Sequence, residues 1–155
     1  MKRTVFLGTY TNGESKGIYS CRFDDVTGTL SGFRLAAETP SPSFLALHPT
    51  GKFLYAVNET NNFDSEASGS VTAYRITDPG AGVLEKLNTV SSHGAHPCHL
   101  ILTPESDAVI IANYTGSTVT AIEIQDDGSL GKTLNRILHK LSLIHISEPT
   151  RPTLI

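Results

Sequence analysis

An eighteen-residue phrase, Pro42 to Glu59, is written again as Pro97 to Tyr114, and this repetition constrains the fold more than any other feature. Pro42 falls on Pro97, Pro49 on Pro104 and Asn58 on Asn113, each at an offset of 55. In each copy a short apolar run leads into Pro49-Thr50-Gly51-Lys52 or Pro104-Glu105-Ser106-Asp107. A second apolar run follows and ends on the asparagine. Proline presets φ at such a turn and Gly, Ser or Asp tolerate the bend, so each copy is expected to be a β-hairpin.

A third, partial copy opens the chain. Val5-Phe6-Leu7-Gly8-Thr9-Tyr10-Thr11 lies against Val109-Ile110-Ile111-Ala112-Asn113-Tyr114-Thr115 without a gap, 104 positions earlier, or 52 per unit over two units. Self-similarity at ~40–50 residues with several strands per unit is the mark of a β-propeller. The expectation is an all-β fold, a propeller fragment of about two and a half four-stranded blades. The blades span 4–39, 40–92 and 97–140. Strands are expected at Thr4–Thr11, Gly17–Phe23 and Phe33–Glu38 in the first, at Gly69–Ile76 and Leu84–Val90 in the second, and at Thr118–Ile124 in the third. The first blade lacks the opening strand of the meander. Residues 141–155 break the periodicity and resemble the translation of a common transposase sequencing adapter, so they are set aside as a non-native tail.

Bulk properties narrow the function. A net charge of −3 gives no pull toward nucleic acid or an anionic membrane. No apolar stretch is long enough to cross a bilayer, and Val5 to Leu7 is too short for the core of a signal peptide. Two isolated cysteines, Cys21 and Cys98, fit a reducing cytoplasm. The absence of tryptophan argues against the Trp-Asp class of propeller.

Several stretches together identify a family. They are Phe6-Leu7-Gly8-Thr9-Tyr10-Thr11, Gly17-Ile18-Tyr19, Asn58-Glu59, Gly69-Ser70-Val71-Thr72-Ala73-Tyr74, Pro97-Cys98-His99, Ala112-Asn113-Tyr114-Thr115-Gly116-Ser117 and Asp127-Gly128-Ser129-Leu130. From Thr4 to about Asn135 the chain resembles the N-terminal part of the propeller lactonases, the 6-phosphogluconolactonase and carboxymuconate-cyclase group. The resemblance implies a seven-bladed ring with its site at one mouth of the central channel. It also implies a sugar lactone as substrate, no metal or organic cofactor, and a place in cytoplasmic glucose metabolism (the pentose phosphate pathway). The family's next blade brings a Pro-His-x-His segment, where this chain has Arg136-Ile137-Leu138-His139-Lys140 and then the tail. The fragment is therefore expected to be inactive and the intact parent to be the lactonase.

Hairpin geometry places the candidate residues. Each first strand runs down and each second strand returns, so Pro97–His99, Asn113–Tyr114, Ser41–Ser43 and Asn58–Glu59 share one end, and Thr9 and Tyr10 join them by alignment. One rim thus collects His96, His99, Glu59, Asn58, Asn113, Tyr114 and Tyr10. Opening a lactone takes a base for water and donors for the tetrahedral oxyanion. His99 and His96 are expected as base or donor, Glu59 as the group that orients or deprotonates water, and Asn58, Asn113, Tyr114 and Tyr10 as binders of sugar hydroxyls. A strand-capping role for His99 and a shared turn role for the two asparagines are the structural alternatives.

Two other readings stay open. A non-enzymatic propeller that binds ligand or protein predicts an apolar or aromatic rim. A carboxymuconate-type cyclase needs arginines for carboxylates, and Arg22, Arg34 and Arg75 lie on middle or outer strands. His93, His96 and His99 have metal-like spacing, but Gly94 and Pro97 preclude the helix that would align them. Gly128 to Thr133 ends like a phosphate loop without the spacing or the βα unit that motif needs. No Gly-x-Ser-x-Gly elbow is present.

Overall fold

The structure, a computed structural model, describes residues 1–139. The adapter-like reading of 141–155 lies outside them. Eleven strands form three antiparallel sheets. The first sheet is β1 (Lys2–Leu7), β2 (Gly17–Asp24) and β3 (Thr29–Glu38), in that spatial order. The second is β4 (Leu45–Leu47), β5 (Phe53–Asn58), β6 (Ser70–Asp78) and β7 (Val83–Ser91). The third is β8 (Pro97–Leu102), β9 (Ala108–Asn113), β10 (Thr118–Ile124) and β11 (Leu130–Leu138). Each sheet is an uninterrupted meander, and β1, β5 and β9 occupy the equivalent place that the repeat assigned them. The first sheet has three strands, as its missing opening copy required. The third carries a full fourth strand, so the arc is somewhat more than two and a half blades.

The sheets stack face to face, with β3 against β7, β4 and β5 against β8, and β7 against β11. β5 shows why the sequence reads as it does. Successive side chains on a strand point to opposite faces, and here both faces are covered. Leu54 and Ala56 pack with Ile18 and Tyr74 toward the first sheet, while Tyr55 and Val57 pack with Leu100, Val109 and Ile111 toward the third. A strand covered on both sides is a continuous apolar run instead of an alternating one. All six of its residues but Phe53 are buried. Each large apolar side chain buried this way contributes roughly 1.5–3 kcal/mol.

The seam between the second and third sheets is closed by two polar devices. The Tyr55 hydroxyl, inside the core, donates to the carbonyl of Gly128 at 2.9 Å. Asn88 on β7 donates to the carbonyl of Leu130 at 2.8 Å and accepts from its amide at 2.9 Å. Gly128 has φ +87°, and a Cβ there would overlap the Phe53 ring. Glycine is required on both counts.

Two strand ends differ from expectation by four residues, the others by two or fewer. β1 stops at Leu7 instead of Thr11, because Gly8 leaves the sheet and presses against the Pro42 carbonyl, where any Cβ would overlap. The freed residues cross to the second blade, with the Thr11 amide donating to Ser41 Oγ and the Ser41 amide to Thr11 Oγ1. β3 starts at Thr29 instead of Phe33, since the β2–β3 pairing carries a bulge around Gly32 that absorbs the break in pattern. A short 3-10 turn at Phe63–Ser65, in the loop between β5 and β6, had no sequence signal.

Candidate functional site

The rim residues come to one end of the arc. Asn58 ends β5 and Asn113 ends β9, Tyr10 and Thr11 lie in the loop after β1, and His96 precedes β8. Backbone hydrogen bonds tie these loops together. The His96 amide donates to Thr60 O at 2.8 Å, the Tyr114 amide to His96 O at 2.9 Å, and the Glu59 amide to Ser41 O at 2.9 Å. His96 sits at φ +54° and Ser41 at φ +37°, left-handed conformations that non-glycine residues seldom adopt. The tight inter-blade crossovers hold them there.

Tyr10 and Glu59 meet directly. The tyrosine hydroxyl donates to Glu59 Oε2 at 2.9 Å. That bond, and then the glutamate charge, hold the Tyr10 hydroxyl above its ordinary range, with the Ser43 hydroxyl working the other way. The charge of Glu59 also reaches Cys98, whose thiol is pushed up by burial first and by that carboxylate second. Tyr10, Ser43, Glu59 and Cys98 are therefore one neighbourhood, although the sequence reading named only Tyr10 and Glu59 of them as site residues. Ser43 and Cys98 occupy the same place in the 55-residue repeat, a signal that was present in the sequence. Ser43 Oγ is buried and has no hydrogen-bond partner among the described residues.

The three histidines diverge. His96 Nδ1 lies 2.8 Å from Thr115 Oγ1, His93 Nε2 lies 2.8 Å from Thr133 Oγ1, and the exposed His99 ring packs on Phe44 with centroids 4.4 Å apart. Phe44 is the repeat equivalent of His99, so the two blades stack like against like. Neither His96 nor His99 hydrogen-bonds to Glu59 among the described residues.

Asn58 and Asn113 need correction. Both were expected as binders of sugar hydroxyls, with a shared turn role as the alternative, and both are buried, at 1% and 3% exposure. Asn58 Nδ2 donates to Thr39 Oγ1 at 2.8 Å and Pro40 O at 2.7 Å, while its Oδ1 accepts from Ser70 and Thr72 at 3.2 and 2.7 Å. Asn113 Nδ2 donates to Ser92 O and Thr118 Oγ1, each at 2.9 Å. The two residues perform the same task in successive blades: each binds the linker from the preceding sheet to a hydroxyl on its own third strand. Of the polar atoms of these two side chains, the buried Oδ1 of Asn113 has no partner among the described residues. Tyr114, by contrast, is 63% exposed and Tyr10 57% exposed. Tyr114 borders a cavity of about 200 Å³ with Cys98, Ala112, Val119 and His139.

The arginines lie elsewhere. Arg75 pairs with Glu85 at 3.4 Å. Arg22 donates to Gly80 O at 2.7 Å, in the turn at the far end of β6 from the rim. No group of three or more metal-ligating side chains gathers among the described residues.

Stacked meanders joined at one rim are the architecture that known proteins share with this chain. The family described as "Lactonase, 7-bladed beta-propeller" matches residues 4–152. The chain belongs to this lactonase family. It is 34% identical over 134 residues to the 6-phosphogluconolactonase of Bacillus subtilis, covering 86% of this chain and 37% of that one. A 6-phosphogluconolactonase of Formosa agariphila is 27% identical over 129 residues, covering 83% and 35%. Among solved structures, the periplasmic gluconolactonase PpgL of Pseudomonas aeruginosa superposes with a TM-score of 0.81 at 31% identity, over 90% of this chain and 39% of that one. The chain thus spans little more than a third of the length of these lactonase relatives. No helix among the described residues is long and apolar enough to cross a membrane.

Proposed function

We propose that this arc supplies part of the rim of a sugar lactonase that opens 6-phosphogluconolactone or a closely related lactone to the free acid. The observation that carries the reading is the Tyr10–Glu59 pair at the mouth of the arc, taken with the kinship to proteins named 6-phosphogluconolactonase. In this reading water adds to the lactone carbonyl, the ring C–O bond breaks, and the products are a carboxylate, a hydroxyl and a proton. Glu59, held by Tyr10, takes the proton of the attacking water. His96 or His99 donates to the oxyanion and then to the departing ring oxygen. Tyr10 and Tyr114 present hydroxyls and ring faces to the sugar. The reaction is hydrolytic and calls on no metal or organic cofactor. Its partner is a small sugar lactone, without nucleic acid or membrane, and its setting the cytoplasm.

The 155-residue chain is not expected to turn over by itself, because its rim closes only part of a mouth. Direct titration of released acid settles the matter on a full-length ring carrying this arc. Rapid hydrolysis of the δ-lactone, reduced at least tenfold by Glu59→Gln, supports the assignment; unchanged turnover in that variant removes Glu59 from the chemistry.

A second reading draws on the exposure of Tyr10 and Tyr114. An aromatic rim fits a ring that binds a carbohydrate without cleaving it. Saturable binding of gluconate with no lactone hydrolysis in the full-length ring would favour that alternative.

A further inference from the structure

Away from the rim, the seam between the first and second sheets holds a cleft of about 210 Å³ whose lining includes Ser20, Arg22 and Arg34 from the first sheet and Gly80 and Ala81 from the second. β2–β3 pairing sets Arg34 opposite Ser20, and Arg22 follows two residues along the same face. Two guanidinium groups therefore converge on one hollow. Neither forms an ion pair with a carboxylate among the described residues, whose salt bridges involve Met1, Arg3 and Arg75 alone. The carboxylates of the adjoining turns accept from their own amides: Asp78 from Ala81 at 2.8 Å, Asp24 from Val26 at 3.0 Å and Thr27 at 3.3 Å.

The donors are arranged and in part unspent. Arg22 is pinned by neutral oxygens, Thr4 Oγ1 at 2.9 Å, Gly80 O at 2.7 Å and Lys2 O at 3.2 Å, which orient it without cancelling its charge. Among the described residues Arg34 donates only through Nε, to Ser20 Oγ at 3.3 Å, and the N–H groups of its two terminal nitrogens meet no acceptor there. Ser20 is 2% exposed, accepts that bond, and donates its own proton to nothing among the described residues. Like charges brought side by side on a sheet are unfavourable unless something neutralises them. A guanidinium with its fork open matches the oxygens of a phosphate.

We propose that this seam is an oxyanion site, distinct from the rim, that takes phosphate or a phosphate monoester through Arg34 and Ser20 in the field of Arg22. Its distance from the catalytic mouth makes it a second site instead of a substrate subsite. An anion here ties β2 and β3 to the 78–82 turn and braces the seam between the blades.

The test is a titration of the isotopically labelled 155-residue chain with inorganic phosphate at constant ionic strength, following the arginine Nε–H signals and the Gly80 and Ala81 amides by NMR. Saturable shifts confined to this seam are expected, with affinity reduced about tenfold in Arg34→Gln. Arg34→Lys, which keeps the charge and loses the fork, is expected to fall between the two, and Arg75→Gln to bind as the unaltered chain does. Arg34 is exposed, so these variants leave the core intact. Shifts that grow linearly without saturation, or that persist in Arg34→Gln, overturn the proposal. Equal saturation by acetate overturns the choice of phosphate. Because the readout is at the seam, the outcome is independent of whether the rim hydrolyses lactones.

Discussion

The hydroxyl of Tyr10 donates to Oε2 of Glu59 at 2.9 Å, joining two blades across 49 residues of chain. The glutamate gains a fixed orientation at the mouth of the arc, and no cation pairs with it among the described residues. The tyrosine, more than half exposed, is held where it stands by that bond.

This pair separates function from stability. Tyr10→Phe is expected to cost under about 1 kcal/mol by urea denaturation, because the bond is solvent-accessible and water replaces it. Glu59→Gln is expected to lower kcat of a full-length ring by about 100-fold or more, in line with loss of a general base. A stability loss in Glu59→Gln as large as its activity loss would argue that the residue only props the loop.

Asn58→Ala is expected to destabilise the chain by about 2–4 kcal/mol, since it strands two donors and two acceptors in a buried seam. Asn113→Ala should cost less, as only its amide nitrogen is engaged. Urea midpoints of the purified variants give the order, and the reverse order would contradict the hydrogen-bond assignment.

At Gly128, alanine meets both a left-handed φ and the Phe53 ring. A loss of about 1–3 kcal/mol is expected. The double variant Gly128→Ala with Phe53→Leu should recover part of it, read from the same denaturation curves; no recovery would put the whole cost on the backbone.

Burial, and secondarily the charge of Asp127, push the Tyr55 hydroxyl up to about 12. The folded chain holds this proton more tightly than the unfolded chain. Its contribution is therefore complete below the ordinary tyrosine range near pH 10 and is lost as pH rises through about 12. The expected loss is on the order of 2 kcal/mol. Tyr55→Phe should be less stable at neutral pH, by about 1–2 kcal/mol for the lost bond to Gly128, and should show a flatter alkaline limb. Identical alkaline limbs in the two proteins would assign the effect to other tyrosines.

The repeat made most of the fold legible. Matching Asn58 with Asn113 and Val5 with Val109 placed the equivalent strands of three sheets before any contact was known. The unbroken run from Leu54 to Val57 announced a strand covered on both sides. What stayed hidden was non-local. Thr9 to Thr11 have strand-like composition, yet Gly8 turns them out of the sheet because the Pro42 carbonyl occupies the space. At the site, recurrence gathered the candidates at one end of the molecule, and of the two roles it left open for the asparagines their burial favours the structural one. A residue that recurs in successive blades serves what those blades share, here a linker-to-strand bond. Glu59, Tyr114 and His99, which differ from their repeat counterparts, are where a single blade departs from that common need. The partnership of Tyr10 with Glu59 left no trace in either local stretch.

Among the described residues β5 packs toward both neighbouring sheets, whereas β3 packs against β7 alone. A lesion in β5 therefore weakens two seams together, and one in β3 a single seam. The middle blade acts as a keystone: the arc can fray from either flank and keep its order, but loosening the centre lets both flanks go.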